Sequence, residues 1–280
     1  MYLIFDTETT GRIENWKAPV SEYDSFPRLV QLAWQLHDYK GALIEVKNYI
    51  IKPDGYTIPF NAEKIHGIST ERAEKMGVSI ELVMDEFKKA LEETDFAVGH
   101  NIEFDTKVMG AEYARANRDD GLMDKRTLDT MKSSTHYCQL PGGRGKSFKF
   151  PTLSELNEKL FHEKIDNAHN ASADVETTSR CFLELIRIGV FTFKDLGSNE
   201  EYIKVFKEAN PKPFELIGLN IKPYSPDDLE IIEEEKTDKQ KVSRKVISEN
   251  KKLLEELPFV HLHNHTQFSI LQSTSEIKSI

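Results

Sequence analysis

The sequence predicts an α/β or α+β layer, a mixed sheet that opens with an antiparallel meander and is flanked by helices. Three observations predict it. The apolar run Met1–Phe5 leads directly into Asp6-Thr7-Glu8, as a strand ending in a polar rim would. Two further alternating runs, Leu29–Asp38 and Ala42–Ile51, are joined by the turn signal Lys40-Gly41. Beyond them, short apolar runs alternate with helical patterns, the order expected of helices packed against a sheet.

Each element has its own justification. After the first strand, a polar loop over about 12–27 carries Pro19 and Pro27. The next two strands complete the meander, and Pro53-Asp54-Gly55 ends it. Ser79–Glu93 is helical, with Val83, Phe87, Ala90 and Leu91 on one stripe. Phe96–Gly99 reads as a short buried strand. Asn101 then caps a helix over Ile102–Asn117, with Phe104, Val108 and Ala111 inward. Thr127–Thr130 supplies another strand. Residues 141–150 form a glycine-rich basic loop, whose Arg144, Lys146 and Lys149 suit the phosphates of a single strand as well as they suit water. Thr152 and Glu155 form a capping box for a helix through Leu156 and Leu160. Asn170–Ile188 is the last strong helix, with Val175, Thr178, Phe182 and Leu185 at helical spacing. The expected division is a domain over 1–190, a charged and partly helical linker over 191–257, and a fragment of a second domain over 258–280.

Composition narrows the function. The chain has 280 residues, and a hydrophobic content of 39% supports a packed core. A net charge of −10 argues against a broad basic surface for duplex DNA. It leaves room for a nuclease, because cations held by carboxylates neutralise phosphates locally. The two cysteines, Cys138 and Cys181, make a disulfide framework improbable and fit a reducing cytoplasm. No charged-then-apolar leader opens the chain and no apolar run approaches a membrane span, so a cytoplasmic protein is expected.

The acidic residues carry the chemistry. Side chains on a strand alternate faces, so Asp6 and Glu8 point one way and Thr7 the other. Two adjacent carboxylates repel unless a cation sits between them, and a divalent metal ion is the usual answer. Downstream, Asp105 and Asp174 each fall in a first helical turn near a strand end. Taken singly, each is explained by the helix dipole. Together, four carboxylates at turns leading off one sheet can converge, giving the oxygen-rich setting that two Mg²⁺ or Mn²⁺ ions need. His169, five residues before Asp174, must sit in the loop ahead of the last helix, where it can take a proton near neutral pH.

In this order, Asp6-x-Glu8, Asn101-x₃-Asp105 and His169-x₄-Asp174 resemble the three motifs of the DEDDh exonucleases, most closely the epsilon-type proofreading enzymes of bacterial replicases. Lys64-Ile65-His66-Gly67-Ile68 resembles a segment of those enzymes near the terminal nucleotide. The resemblance implies a ribonuclease-H-like fold and 3′→5′ hydrolysis that releases nucleoside monophosphates from single-stranded or mispaired DNA ends. It implies Asp6, Glu8, Asp105 and Asp174 as metal ligands, His169 as general base, and Thr9, His66 and Phe104 as contacts to the terminal nucleotide. An RNA-directed exonuclease of the same superfamily and a non-catalytic docking module are the alternatives.

The chain's last part changes character. His261, His263 and His265 are spaced by two and share a face if the segment is a strand, an arrangement that suits a metal. Phe259–Gln272 resembles the opening of a PHP (polymerase and histidinol phosphatase) domain, as found at the start of bacterial DNA polymerase III alpha chains. That resemblance implies His263 and His265 as ligands in a complete PHP domain, replicase components as partners, and a nucleoid-associated setting in a bacterial cytoplasm.

Overall fold

The computed structural model describes residues 1–119, 121–122, 125–143, 145, 147–165, 170–218 and 222–223. Two units divide the chain, Met1–Leu229 and Glu230–Ile280. The second, with His261, His263 and His265, lies outside the described residues.

Five strands form one sheet in the order β3-β2-β1-β4-β5: β1 Tyr2–Thr9, β2 Leu29–His37, β3 Leu43–Ile50, β4 Phe96–Gly99 and β5 Arg126–Asp129. β1 to β3 are the expected antiparallel meander, and β4 and β5 run parallel to β1. Eight α-helices are described: α1 Phe60–His66, α2 Thr70–Met76, α3 Ile80–Glu92, α4 Ile102–Arg115, α5 Thr130–Cys138, α6 Leu153–Phe161, α7 Ala171–Ile188 and α8 Glu200–Ala209. Among the described residues, no helix is long and apolar enough to cross a membrane.

The alternation of β1 builds both faces of the sheet. Leu3 and Phe5 join Trp34, Val83, Phe87, Val108 and Met109 in a core beneath α3 and α4. Tyr2 and Ile4 join Ala33, Val98, Val175, Phe182 and Leu185 beneath α7. Burying each such side chain contributes about 1.5–3 kcal/mol. The helix starts follow capping chemistry: Ser79 accepts from the Leu82 N–H, Asn170 accepts from the Ser172 N–H, and Thr152 with Glu155 forms the reciprocal box.

Phe191, Leu196 and Phe206 are buried in the α7-side core, so the chain continues into the packed body past 190. Tyr202 of α8 brings its hydroxyl to 2.7 Å from that of Tyr2, and Arg180 donates to the Phe214 carbonyl. The first part of the expected linker therefore carries a structural helix, α8. Charge hides this, because only Phe206 of α8 is buried.

Candidate active site

β1 is the central strand, and its last residues inherit its two-faced geometry. Tyr2 and Ile4 face α7; Asp6 and Glu8 continue that face. Asp174 stands in the first turn of α7, and one oxygen each from Asp6, Glu8 and Asp174 lies within 4.8 Å of the others. Leu3 and Phe5 face α4, and Thr7 continues that face. There it meets Asp105, in the first turn of α4. The Thr7 N–H donates to Asp105 Oδ1 at 3.0 Å, and the Thr7 hydroxyl donates to the same oxygen at 2.7 Å. Past Glu8 the register with β2 slips, Glu8 pairing with Gln31 but Thr9 with Leu29. Such a bulge re-aims the strand beside the acids.

Three of the four expected carboxylates thus share one spot, and the fourth is fastened beside it. Burial raises all of them whose titration is resolved. Asp6 is held well above the usual carboxylate range by burial and by the charges of Asp105, Asp174 and Glu8. Glu8 is pushed up to about 8 by burial, then by Asp174 and Asp105. Asp105 is raised to about 7 by burial, although both Thr7 hydrogen bonds pull it down. Among the described residues neither Asp6 nor Glu8 has an ion-pairing cation. A cluster of buried carboxylate oxygens that repel one another fits divalent ions. Asp6, Glu8 and Asp174 are the residues placed to hold them.

Thr9, His66 and Phe104 come together with Glu8, Arg12 and Asn61 around a cleft of about 610 Å³. The Thr9 hydroxyl donates to the Gly11 carbonyl at 2.7 Å. His66, last residue of α1, accepts at Nδ1 from the Ile68 N–H, and burial lowers its pKa. Among the described residues its buried Nε2 has no partner of good geometry. Phe104 packs towards Trp16, ring centroids 6.3 Å apart. His169 lies outside the described residues.

Two contributors escape a sequence reading. Thr7 is one, since its partner is 98 residues away. Asp129 is the other: at the end of β5 its Oδ1 accepts from the N–H groups of Met131, Lys132 and Asn101. It caps α5 and fixes the start of α4 together. An Asp between a strand and a polar helical stretch is the signal that finds it. Asn101 does cap α4, but through a left-handed backbone, φ 69°, with no side-chain bond to the helix.

An exonuclease family model (RNase_T) matches residues 3–182. The chain belongs to the exonuclease family. That family uses divalent metal ions, in keeping with the acidic cluster. Solved structures agree on the fold. Escherichia coli exonuclease I, in a zinc-bound complex with single-stranded DNA, aligns with TM-score 0.53 and 23% identity, over 67% of this chain and 40% of that one. The same E. coli enzyme with a dT13 oligonucleotide aligns with TM-score 0.52 and 23% identity, over 70% and 42%. The alignment therefore spans about two fifths of the exonuclease I chain. No curated protein sequence matches.

Proposed function

We propose that this exonuclease hydrolyses DNA from the 3′ end, releasing nucleoside monophosphates, with Asp6, Glu8 and Asp174 holding two divalent ions, Mg²⁺ or Mn²⁺. The observation that carries the reading is the meeting of three carboxylates where the central strand reaches the first turn of α7, with Asp6 and Glu8 raised by burial and by the charge of Asp174. When bound, the ions neutralise the phosphate and make a water acidic enough to attack it. Asp105, fastened to Thr7, adds negative charge beside the cluster and completes the acidic set. His169 stands one position before Asn170, the cap of α7, and is the proposed general base. The cleft lined by Thr9, His66 and Phe104 opens at Glu8 and is of a size for the terminal nucleotide. The exonuclease I complexes with single strands support DNA as the substrate.

The wider setting proposed is proofreading, as the editing domain of a bacterial DNA polymerase III alpha chain. The PHP-like segment with His263 and His265 supports it. A tether would raise the concentration of the editing site near the primer end. The test is digestion of 3′-labelled single-stranded and mispaired DNA, beside short RNA, in Mg²⁺, Mn²⁺ and chelator. The expected result is metal-dependent mononucleotide release, favouring DNA, that Asp6→Ala and Asp174→Ala abolish. Near-normal turnover by Asp6→Ala in Mg²⁺ would refute the site, and a preference for short RNA would move the assignment to the exoribonucleases.

A further inference from the structure

The run that leads into α6 carries two rings that neither core uses. Phe148 and Phe150 are 37% and 55% exposed, while Lys149 between them turns back to Glu155, Nζ to Oε1 2.7 Å. Rings of that size normally find burial. The backbone beneath them is closed tightly. The Lys149 N–H donates to the Leu140 carbonyl at 2.9 Å, and a Cβ on Gly143 would lie 2.2 Å from the Ser147 carbonyl oxygen. Phe148 also meets His136 of α5 edge-on, centroids 5.8 Å apart. Phe148 is therefore held in place at the surface, with Phe150 exposed two residues on.

With Lys132, His136 and Lys149 they wall a cleft of about 660 Å³, and no carboxylate lines it among the described residues. The cleft lies at the acid-bearing end of the sheet. Ile4–Val98 is the last pair between β1 and β4, so Asp6 and His100 each stand two residues beyond it. His100 Nε2 donates to the Pro151 carbonyl at 3.0 Å, and Nδ1 lies 2.9 Å from Thr130 Oγ1. One imidazole thus ties the base of the ring-bearing run to the strand end beside the acidic cluster. Exposed rings suit bases to stack, and Lys132, half-exposed and shared with Glu103 and Asp129, and Lys149, held by Glu155, can turn to a phosphate. A protein partner would have to desolvate Lys132 and His136 beside the rings; a nucleic acid strand brings phosphates to them.

We infer that Phe148 and Phe150, with Lys132 and His136, form a stacking subsite for the single-stranded DNA upstream of the cut end. This rests on the exonuclease reading above. Two probes separate the claims. The p-nitrophenyl ester of thymidine 5′-monophosphate reports the catalytic centre alone. Labelled oligothymidylate, with Ca²⁺ replacing Mg²⁺ to hold it uncut, reports the strand path. In the double variant Phe148→Ala with Phe150→Ala, oligothymidylate Kd rises roughly tenfold or more, the loss expected from at least one stacked base. That loss exceeds any fall in ester hydrolysis. Phe148→Tyr with Phe150→Tyr keeps the rings and restores the affinity. Unchanged oligothymidylate affinity in the alanine variant, with ester hydrolysis intact, overturns the subsite and leaves the exonuclease reading standing. Equal losses on both probes mark general damage and overturn it too. Wild-type protein that hydrolyses neither ester nor DNA overturns both.

Discussion

Replacing Thr7 by Val tests whether Asp105 is an arranged part of the site. Val is nearly the same size, so packing against α4 is kept. The change deletes the 2.7 Å hydroxyl bond to Asp105 Oδ1 and leaves the 3.0 Å backbone bond. Asp105 is 3% exposed, so water cannot replace the lost donor. A hydrogen bond to a charged group is worth about 1.5–3 kcal/mol, which in a domain of this size is a fall in Tm of roughly 3–12 °C. The pH at which this is measured matters. Burial raises Asp105 to about 7, against about 3.8 in the unfolded chain, so its unfavourable contribution is absent below 3.8 and grows as pH rises towards 7. Without the hydroxyl the carboxyl is raised further, so the deficit of Thr7→Val is small at pH 5 and largest at pH 8. The assay is thermal unfolding of wild type, Thr7→Val and Thr7→Ser at both pH values, with exonuclease rates in Mg²⁺ alongside. Thr7→Ser should recover both stability and rate. A Thr7→Val protein as stable and as fast as wild type at pH 8 would refute the reasoning.

Other expectations follow from the same geometry. Glu8 is raised from 4.5 to about 8, so metal-free protein loses stability as pH climbs through that window; Mg²⁺ should therefore raise Tm more at pH 8 than at pH 5, and an equal rise at both would count against metal at these carboxylates. Asp6→Asn removes one of the repelling charges, so its metal-free Tm at pH 8 should exceed that of wild type while hydrolysis vanishes; calorimetry in chelator reads the first and nucleotide release the second. His169→Ala should slow hydrolysis by roughly 10²–10⁴, and an unaltered pH–rate profile would remove His169 as the base. Phe206→Ala should destabilise by about 3–5 kcal/mol, measured by urea unfolding; a loss under about 1 kcal/mol would return residues 191–209 to the linker.

Much of the architecture was legible because it is written in period and cap. The alternation of β2 and β3, the apolar stripe of α3, the capping box of α6 and the Asn170 start of α7 each combine two local signals. The elements that escaped have one signal or none. α1 and α2 are seven residues each, and α1 exposes Phe60 and Ile65, so no apolar stripe marks it. α5 is rich in Ser and Thr and rests on Asp129 as its cap. α8 is mostly charged or exposed and fully buries Phe206 alone, which a linker composition conceals. The site divides in the same way. The Asp-x-Glu spacing announces two carboxylates on one face, because that follows from strand geometry. That Asp105 is held on the opposite face by Thr7 is a tertiary fact, carried by neither motif.

The two helices that deliver Asp105 and Asp174 lie on opposite sides of the sheet and bring these side chains to the last residues of β1. Cutting competence is therefore a gauge of alignment between both layers. If either helix slides along the sheet by a fraction of a turn, the negative oxygens separate before any hydrophobic contact is lost. Inactivation by mild heat or denaturant should accordingly precede the unfolding of the domain, and bound cations should close that gap.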